Sequence, residues 1–404
     1  MAQSAPFTRR RKLTVNRCRP LLHAAIAAFA VIVAGPAPAF AEETAIVEAQ
    51  APLIVTDIAG REVKLNAPVK RMLLGEGRQL YLIASLEPED PLARIVAWRN
   101  DLIEADPATY AQYLKAFPGL AKLTAFKGSE DSLVDIESAI IQKPDVVLLN
   151  LETMRANADA KFVEKLAALD IPVLYIDFRH HPLENTEPTI RLLGKIMGRE
   201  ARAEEIIDFR HKAMARVRHV LAEHNPPRPK VFIERIGGYS DDCCLSFGAE
   251  NFGNYVELAG GHNIGSDIIP ATFGQLNPEQ VIAANPDHVV ITSADWEAYV
   301  PGGYWIPLGP GADPQVMRKK LEWFPTRNAY TGIAAQETRN FHGIWHQFYN
   351  SPYEFVAVQQ LAKWFHPNLF DDLDPDATFA EYHRRFLPIK YQRGYSVSLS
   401  DNPS

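Results

Sequence analysis

Residues 135–150 and 277–292 share one pattern, and that repeat limits what the chain can fold into. In each, a short helical stretch ends at Pro-Asp (Pro144-Asp145 and Pro286-Asp287), and an apolar, largely β-branched run comes next. A glutamate, Glu137 or Glu279, stands seven positions before each Pro-Asp. Proline lacks the amide proton a helix needs and biases the residue before it toward extended geometry, so each helix should stop there. The apolar runs suit parallel strands covered on both faces. Two copies far apart imply two similar lobes, each with a glutamate in the same place.

The rest of the chain fits that frame. Its 404 residues exceed one comfortable core, so two domains are expected. Residues 54–57 and 60–65 read as two short strands joined by a turn, and strands then alternate with helices. The pattern predicts α/β lobes with mainly parallel sheets over 42–185 and 229–404. Between them, 186–228 contains no strand pattern. Ala203, Ile206, Ile207, Met214, Val217, Val220 and Leu221 recur there at helical spacing until Asn225-Pro226-Pro227. The part from Glu200 predicts a long connecting helix of about 36 Å at ~1.5 Å per residue, stiffer than a loop and limiting lobe motion.

Residues 1–41 have a different composition from the lobes. Arg9, Arg10, Arg11, Lys12, Arg17 and Arg19 form an acid-free basic start, residues 21–33 are apolar but short for a membrane span, and Ala39-Phe40-Ala41 offers a small-x-small cleavage site. A signal peptide cleaved after Ala41 and a periplasmic product are expected; Thr8-Arg9-Arg10 adds a weak twin-arginine signal. Loss of six cations and no anion moves the formal charge from −7 to −13, which argues against nucleic acid or anionic membrane as partner. Export permits Cys243 and Cys244 to be oxidised, though two small packed loop residues explain them equally. No metal-ligand spacing accompanies them.

Several motifs then carry a resemblance. Val55-Thr56-Asp57 with Gly60-Arg61, both Glu-to-Pro-Asp blocks, Ala259-Gly260-Gly261-His262-Asn263-Ile264, Ser351-Pro352 and 361–367 stand in an order that resembles periplasmic substrate-binding proteins of the iron-siderophore/cobalamin type. The resemblance covers about 53–390. It implies two α/β lobes joined by one long helix, a ligand cleft between them, an ABC transporter permease as partner, and no catalysis or cofactor. It also implies that Glu137 and Glu279 dock on permease arginines. Two carboxylates at fixed separation would orient the complex and steer encounter; as mere helix N-terminal charges each is worth only about 0.3–1 kcal/mol. Nothing signals oligomerisation, so a monomer is expected.

Ligands of α/β sheets sit beyond the carboxyl ends of the strands. That selects Arg78, Trp98, Arg99 and Arg179 in the first lobe, and Arg235, Tyr239, Trp296, Trp345, His346 and Tyr349 in the second, the last three within the segment 345–349 that also holds Gln347, with Tyr304 and Trp305 bordering the cleft. Arginine forks match carboxylate or catecholate oxygens and aromatic rings cover an organic shell, so an anionic ferric siderophore or similar chelate is the expected guest. Haem or cobalamin is the alternative. His180 and His181, adjacent in extended chain, point to opposite sides and do not readily share one ion. A cofactor-binding enzyme on a related two-lobed fold is the rival class. No nucleophile elbow, P-loop, strand-linked GxGxxG or HExxH supports it, and Asp241-Asp242 reads as a turn.

Overall fold

A computed structural model describes residues 52–126, 136–240 and 243–400. The expected signal peptide (1–41) and Asp241-Asp242 lie outside the described residues. An antiparallel hairpin of Leu53–Thr56 and Glu62–Leu65 opens the described chain. The first sheet comes next, its strands ordered Thr124–Phe126, Ile95–Arg99, Met72–Leu74, Val146–Asn150, Val173–Ile176, all parallel. The second sheet is ordered His262–Asn263, Lys230–Glu234, His288–Ser293, Phe341–Trp345, Ser396–Ser398; only the last strand runs antiparallel. Met72–Leu74, Val146–Asn150 and Val173–Ile176 thus lie in the same order as Lys230–Glu234, His288–Ser293 and Phe341–Trp345. The repeated apolar runs are the second strand of each trio, and both are buried throughout, as strands covered on both faces must be.

The recurring Pro-Asp has a structural job. Asp145 Oδ2 accepts from Lys70 N at 2.9 Å, and Asp287 Oδ2 accepts from Lys230 N at 2.8 Å. The same aspartates donate their own amides to Arg71 O at 2.7 Å and Lys230 O at 2.8 Å. Each therefore ties the start of its strand to the start of the neighbouring first strand. A cation on that neighbour also caps the helix carbonyls: Arg71 reaches Gln142 O at 2.6 Å and Lys143 O at 3.0 Å, and Lys230 Nζ reaches Ala284 O at 3.1 Å.

The residues before the two prolines depart from the extended geometry expected of them. Lys143 has φ 45° and Asn285 φ 49°, both left-handed. The proline after each disfavours right-handed helix, but the chain must still close the last turn. Lys143 N donates to Ile140 O at 3.0 Å and Asn285 N to Ile282 O at 3.1 Å, as left-handed helix caps do.

The connector differs in detail from a single helix. It comprises helix Pro182–Met197, a left-handed Gly198 at φ 67°, and helix Glu200–His224. The second has 25 residues, about 37 Å at ~1.5 Å per residue. It buries Ala203, Ile206, Ile207, Ala213 and Val217, and its buried Arg210 pairs with Glu354 of helix Glu354–Phe365. It is thus pinned along its length, and residues 50–404 form one compact unit. Cys243 and Cys244 are joined by a disulfide. No helix among the described residues is long and apolar enough to cross a membrane.

Candidate functional site

Segments leaving the carboxyl ends of six parallel strands, from both sheets, converge on one region. Glu76 and Arg78 come after Met72–Leu74. Asn100 and the short helix Asp101–Ala105 come after Ile95–Arg99, and Arg179 after Val173–Ile176. From the second lobe, Arg235 and Tyr239 come after Lys230–Glu234, Trp296 and Tyr299 after His288–Ser293, and a 3-10 turn His346–Asn350 after Phe341–Trp345. All but the segment after Val173–Ile176 line a cavity of about 550 Å³. Its wall includes Arg78, Arg235, Tyr239, Trp296, His346 and Tyr349, all expected from the sequence. Gly77 makes the tight entry possible: a Cβ there would strike the Arg99 carbonyl and the Trp98 ring.

Four other expected residues do not line the cavity. Trp98, only 2% exposed, stacks on Tyr110 with ring centroids 6.2 Å apart; Trp345 packs edge-on against Phe348 and Tyr395. Both stand at or next to the last position of their strands, on the core side. Arg99 and Arg179 are buried in ion pairs beneath the cavity. The wall also holds Gln347, from the expected strand-end segment 345–349, and Asn100, Asp101, Glu104, Ala105, Ile236 and Tyr299, none of which was expected from the sequence. Tyr299 carried a usable signal, standing three residues after Trp296 at a strand end. Tyr304 stacks on Trp323 at 4.1 Å, and Trp305 is buried with its Nε1 donating to Val300 O at 2.9 Å; neither lines the cavity.

The arginines are matched by carboxylates. Arg78 pairs with Glu76 and with Asp101 at 3.0 Å; Arg99 meets Asp101 at 3.3 Å; Arg179 meets Glu76 at 3.1 Å and also pairs with Glu152. On the wall itself, Arg78 and Arg235 stand against Asp101 and Glu104. The surplus of positive charge expected from the sequence is therefore absent from this wall. Burying arginines without partners is far costlier than pairing them, which explains why acids accompany them.

The same cluster crosses from lobe to lobe. Arg78 donates to Gln347 Oε1 at 3.0 Å and Tyr349 Oη at 2.8 Å; Asn350 Nδ2 donates to Glu76 Oε1 at 2.7 Å; Gln347 Nε2 donates to Ala105 O at 2.7 Å. Asn251 Nδ2 bonds both Arg179 O at 2.5 Å and Tyr349 O at 2.9 Å. Above this floor runs a chain of ring contacts. Tyr299 meets Tyr239 at 6.2 Å, Tyr239 meets Trp296 at 5.7 Å, Trp296 meets His346 at 5.6 Å, and His346 stacks on Tyr349 at 4.2 Å. His346 Nδ1 lies 2.9 Å from Thr292 Oγ1.

His180 and His181 stay apart from this wall. Their ring centroids are 6.4 Å apart; His180 Nδ1 lies 3.4 Å from Thr272 Oγ1, and His181 faces Glu250 at 3.3 Å. Burial holds His180 below its ordinary pKa. Among the described residues no group of three or more His, Cys, Asp or Glu is placed to hold a metal ion. A wider groove of about 690 Å³, lined by Arg61, Lys64, Asp145, Asp170 and Pro172, opens at the amino ends of the first lobe's strands, the wrong end for a ligand of such a sheet.

Two α/β lobes thus hold a walled cavity at their strand carboxyl ends, where ligands of such sheets sit. The chain belongs to the periplasmic binding protein family, whose model matches residues 93–300. It is 23% identical over 362 residues to the molybdate-binding protein MolA of Haemophilus influenzae, covering 84% of this chain and 92% of that one. It is 27% identical over 192 residues to a cobalamin-binding protein of Halobacterium salinarum, 46% of this chain and 48% of that one. The crystal structure of the TroA-like periplasmic binding protein FepB from Veillonella parvula superposes with a TM-score of 0.77 at 27% identity, covering 86% of this chain and 99% of that one.

Proposed function

We propose that this periplasmic binding protein captures a ferric siderophore or similar metal chelate of low net charge and delivers it to an ABC permease, docking through Glu137 and Glu279. The observation that carries the choice of guest is the cavity wall. Five rings (Tyr239, Trp296, Tyr299, His346 and Tyr349) surround two arginines balanced by two acids. A chelate wraps a metal in an organic shell with polarizable faces, and aromatic walls recognise such faces. Arginine donors orient its oxygens without demanding a strongly charged guest. The volume falls inside the ~300–1,000 Å³ range of small-molecule sites. A bare oxyanion such as the ligand named for MolA would leave most of it empty and would want surplus positive charge.

Trp296 in the wall supplies the test. Mature protein is titrated with a neutral ferric hydroxamate, an anionic ferric catecholate, haem, cobalamin and molybdate while tryptophan emission is followed, with Trp296→Phe as reference. Saturable quenching by the neutral ferric chelate, lost in the variant, supports the proposal. Response to molybdate alone, or to haem or cobalamin alone, keeps the receptor and overturns the guest. Response to the catecholate alone overturns the low-charge argument.

A further inference from the structure

The two docking helices carry more than their glutamates. On helix Ile136–Ile141, Glu137 is exposed, and Ile141, one turn further on, is 73% exposed. On helix Pro278–Ala284, Glu279 is exposed, and Ile282, three residues on, is 40% exposed. Spacings of three and four put each isoleucine on the same helix face as its glutamate. Neither glutamate makes an ion pair within the described residues. The helices are equivalent, each leading through Pro-Asp into the second strand of its trio, so the acid-plus-isoleucine pair is presented once per lobe. Ile141 stands largely in water and Ile282 partly so, four and three residues after their glutamates, so each lobe shows apolar surface beside its exposed acid.

We infer that each glutamate and its isoleucine form one composite docking contact, and that the partner is a membrane permease offering two equivalent sites, each a cation beside an apolar surface. This rests on the docking role proposed for Glu137 and Glu279. The division of labour comes from the physics. Long-range charge steers encounter and weakens with salt, whereas burial of apolar surface slows departure and does not. Charge complementarity selects the occupant: a second copy of this acidic chain would bring glutamate to glutamate.

The test uses full mature chains labelled at a site away from both helices and spheroplasts of a host strain deleted for this protein. Binding is read as a half-saturation concentration and a dissociation rate. Ile141→Ser with Ile282→Ser should raise the half-saturation concentration about tenfold, through faster dissociation, with its salt dependence kept. Glu137→Gln with Glu279→Gln should slow association and flatten the salt dependence. Ile54→Ser, altering a 58%-exposed isoleucine on the opening hairpin, should change nothing. Loss in the glutamate pair with an unchanged isoleucine pair overturns the composite contact and keeps carboxylate docking. An unchanged glutamate pair, or no saturable binding by the unsubstituted chain, overturns docking itself. Equal binding to protein-free liposomes, or self-association that the isoleucine changes abolish, overturns the choice of partner.

Discussion

Arg78→Met tests whether the buried charge cluster beneath the cavity is as desolvated as its geometry indicates. Arg78 is 3% exposed and pairs with Glu76 and Asp101. Methionine keeps an unbranched stem of similar reach, so little cavity is created. Removing one partner of a buried ion pair costs about 3–5 kcal/mol, because the remaining charge is left uncompensated. Here compensation is partial: Glu76 retains Arg179 at 3.1 Å, and Asp101 retains Arg99 at 3.3 Å. Loss of the bonds to Gln347 and Tyr349 works the other way. The expected cost is therefore at the low end, about 3 kcal/mol. Urea unfolding of ligand-free protein measures it as a shift in midpoint at unchanged slope. Tyr349→Phe, which removes the hydroxyl that accepts the 2.8 Å bond from Arg78, should cost about 0.5–1.5 kcal/mol and guards against a variant that does not fold. A loss below about 1 kcal/mol for Arg78→Met would refute the reasoning, since a surface-like, solvated pair is worth no more than that.

Three further outcomes are expected. Lys143→Asn, which copies the residue at the equivalent Asn285, should stabilise the chain by about 0.5–1 kcal/mol by easing a left-handed position, measured by thermal or urea unfolding; Asn285→Lys should do the reverse. Burial raises the Asp106 carboxyl from 3.8 to about 6, against the hydrogen bonds from Thr109 and Tyr81, so the folded state holds that proton more tightly than the unfolded one. Stability contributed at this site therefore rises as pH falls from about 6 toward 4, by up to about 3 kcal/mol, and the difference between the unsubstituted chain and Asp106→Asn should show that rise. Tyr299→Ala, at the exposed end of the ring chain, should weaken chelate binding by roughly tenfold at unchanged stability, the ~0.5–1.5 kcal/mol of a ring contact plus the area it covers, read by titration calorimetry.

The repeat carried most of the architecture, because helix, Pro-Asp and buried strand are local signals that survive in both lobes. The pre-proline geometry was not legible for a local reason: the steric rule removes right-handed helix, but only the capping bonds at Lys143 and Asn285 select left-handed over extended. The site was legible as a place, since strand carboxyl ends are visible in sequence, but not as an electrostatic object. Glu76, Asp101 and Glu152 neutralise arginines up to 103 positions away, and no spacing rule reveals such pairs. Trp98 and Trp345 fall on the core side because a residue near the end of a strand faces core or cleft according to pleat, which only the sheet's register decides. The isoleucines beside Glu137 and Glu279 are plain in the sequence, but apolar residues on short helices normally belong to the core, and only their exposure in the fold sets these two apart.

Anomalous diffraction at the iron edge from crystals grown with a neutral ferric hydroxamate tests the central claim most directly. A single strong peak inside the cavity, within contact of the rings of Tyr239, Trp296, His346 and Tyr349, is the predicted result. A peak in the groove lined by Arg61, Lys64 and Asp145, or at His180 and His181, would contradict it.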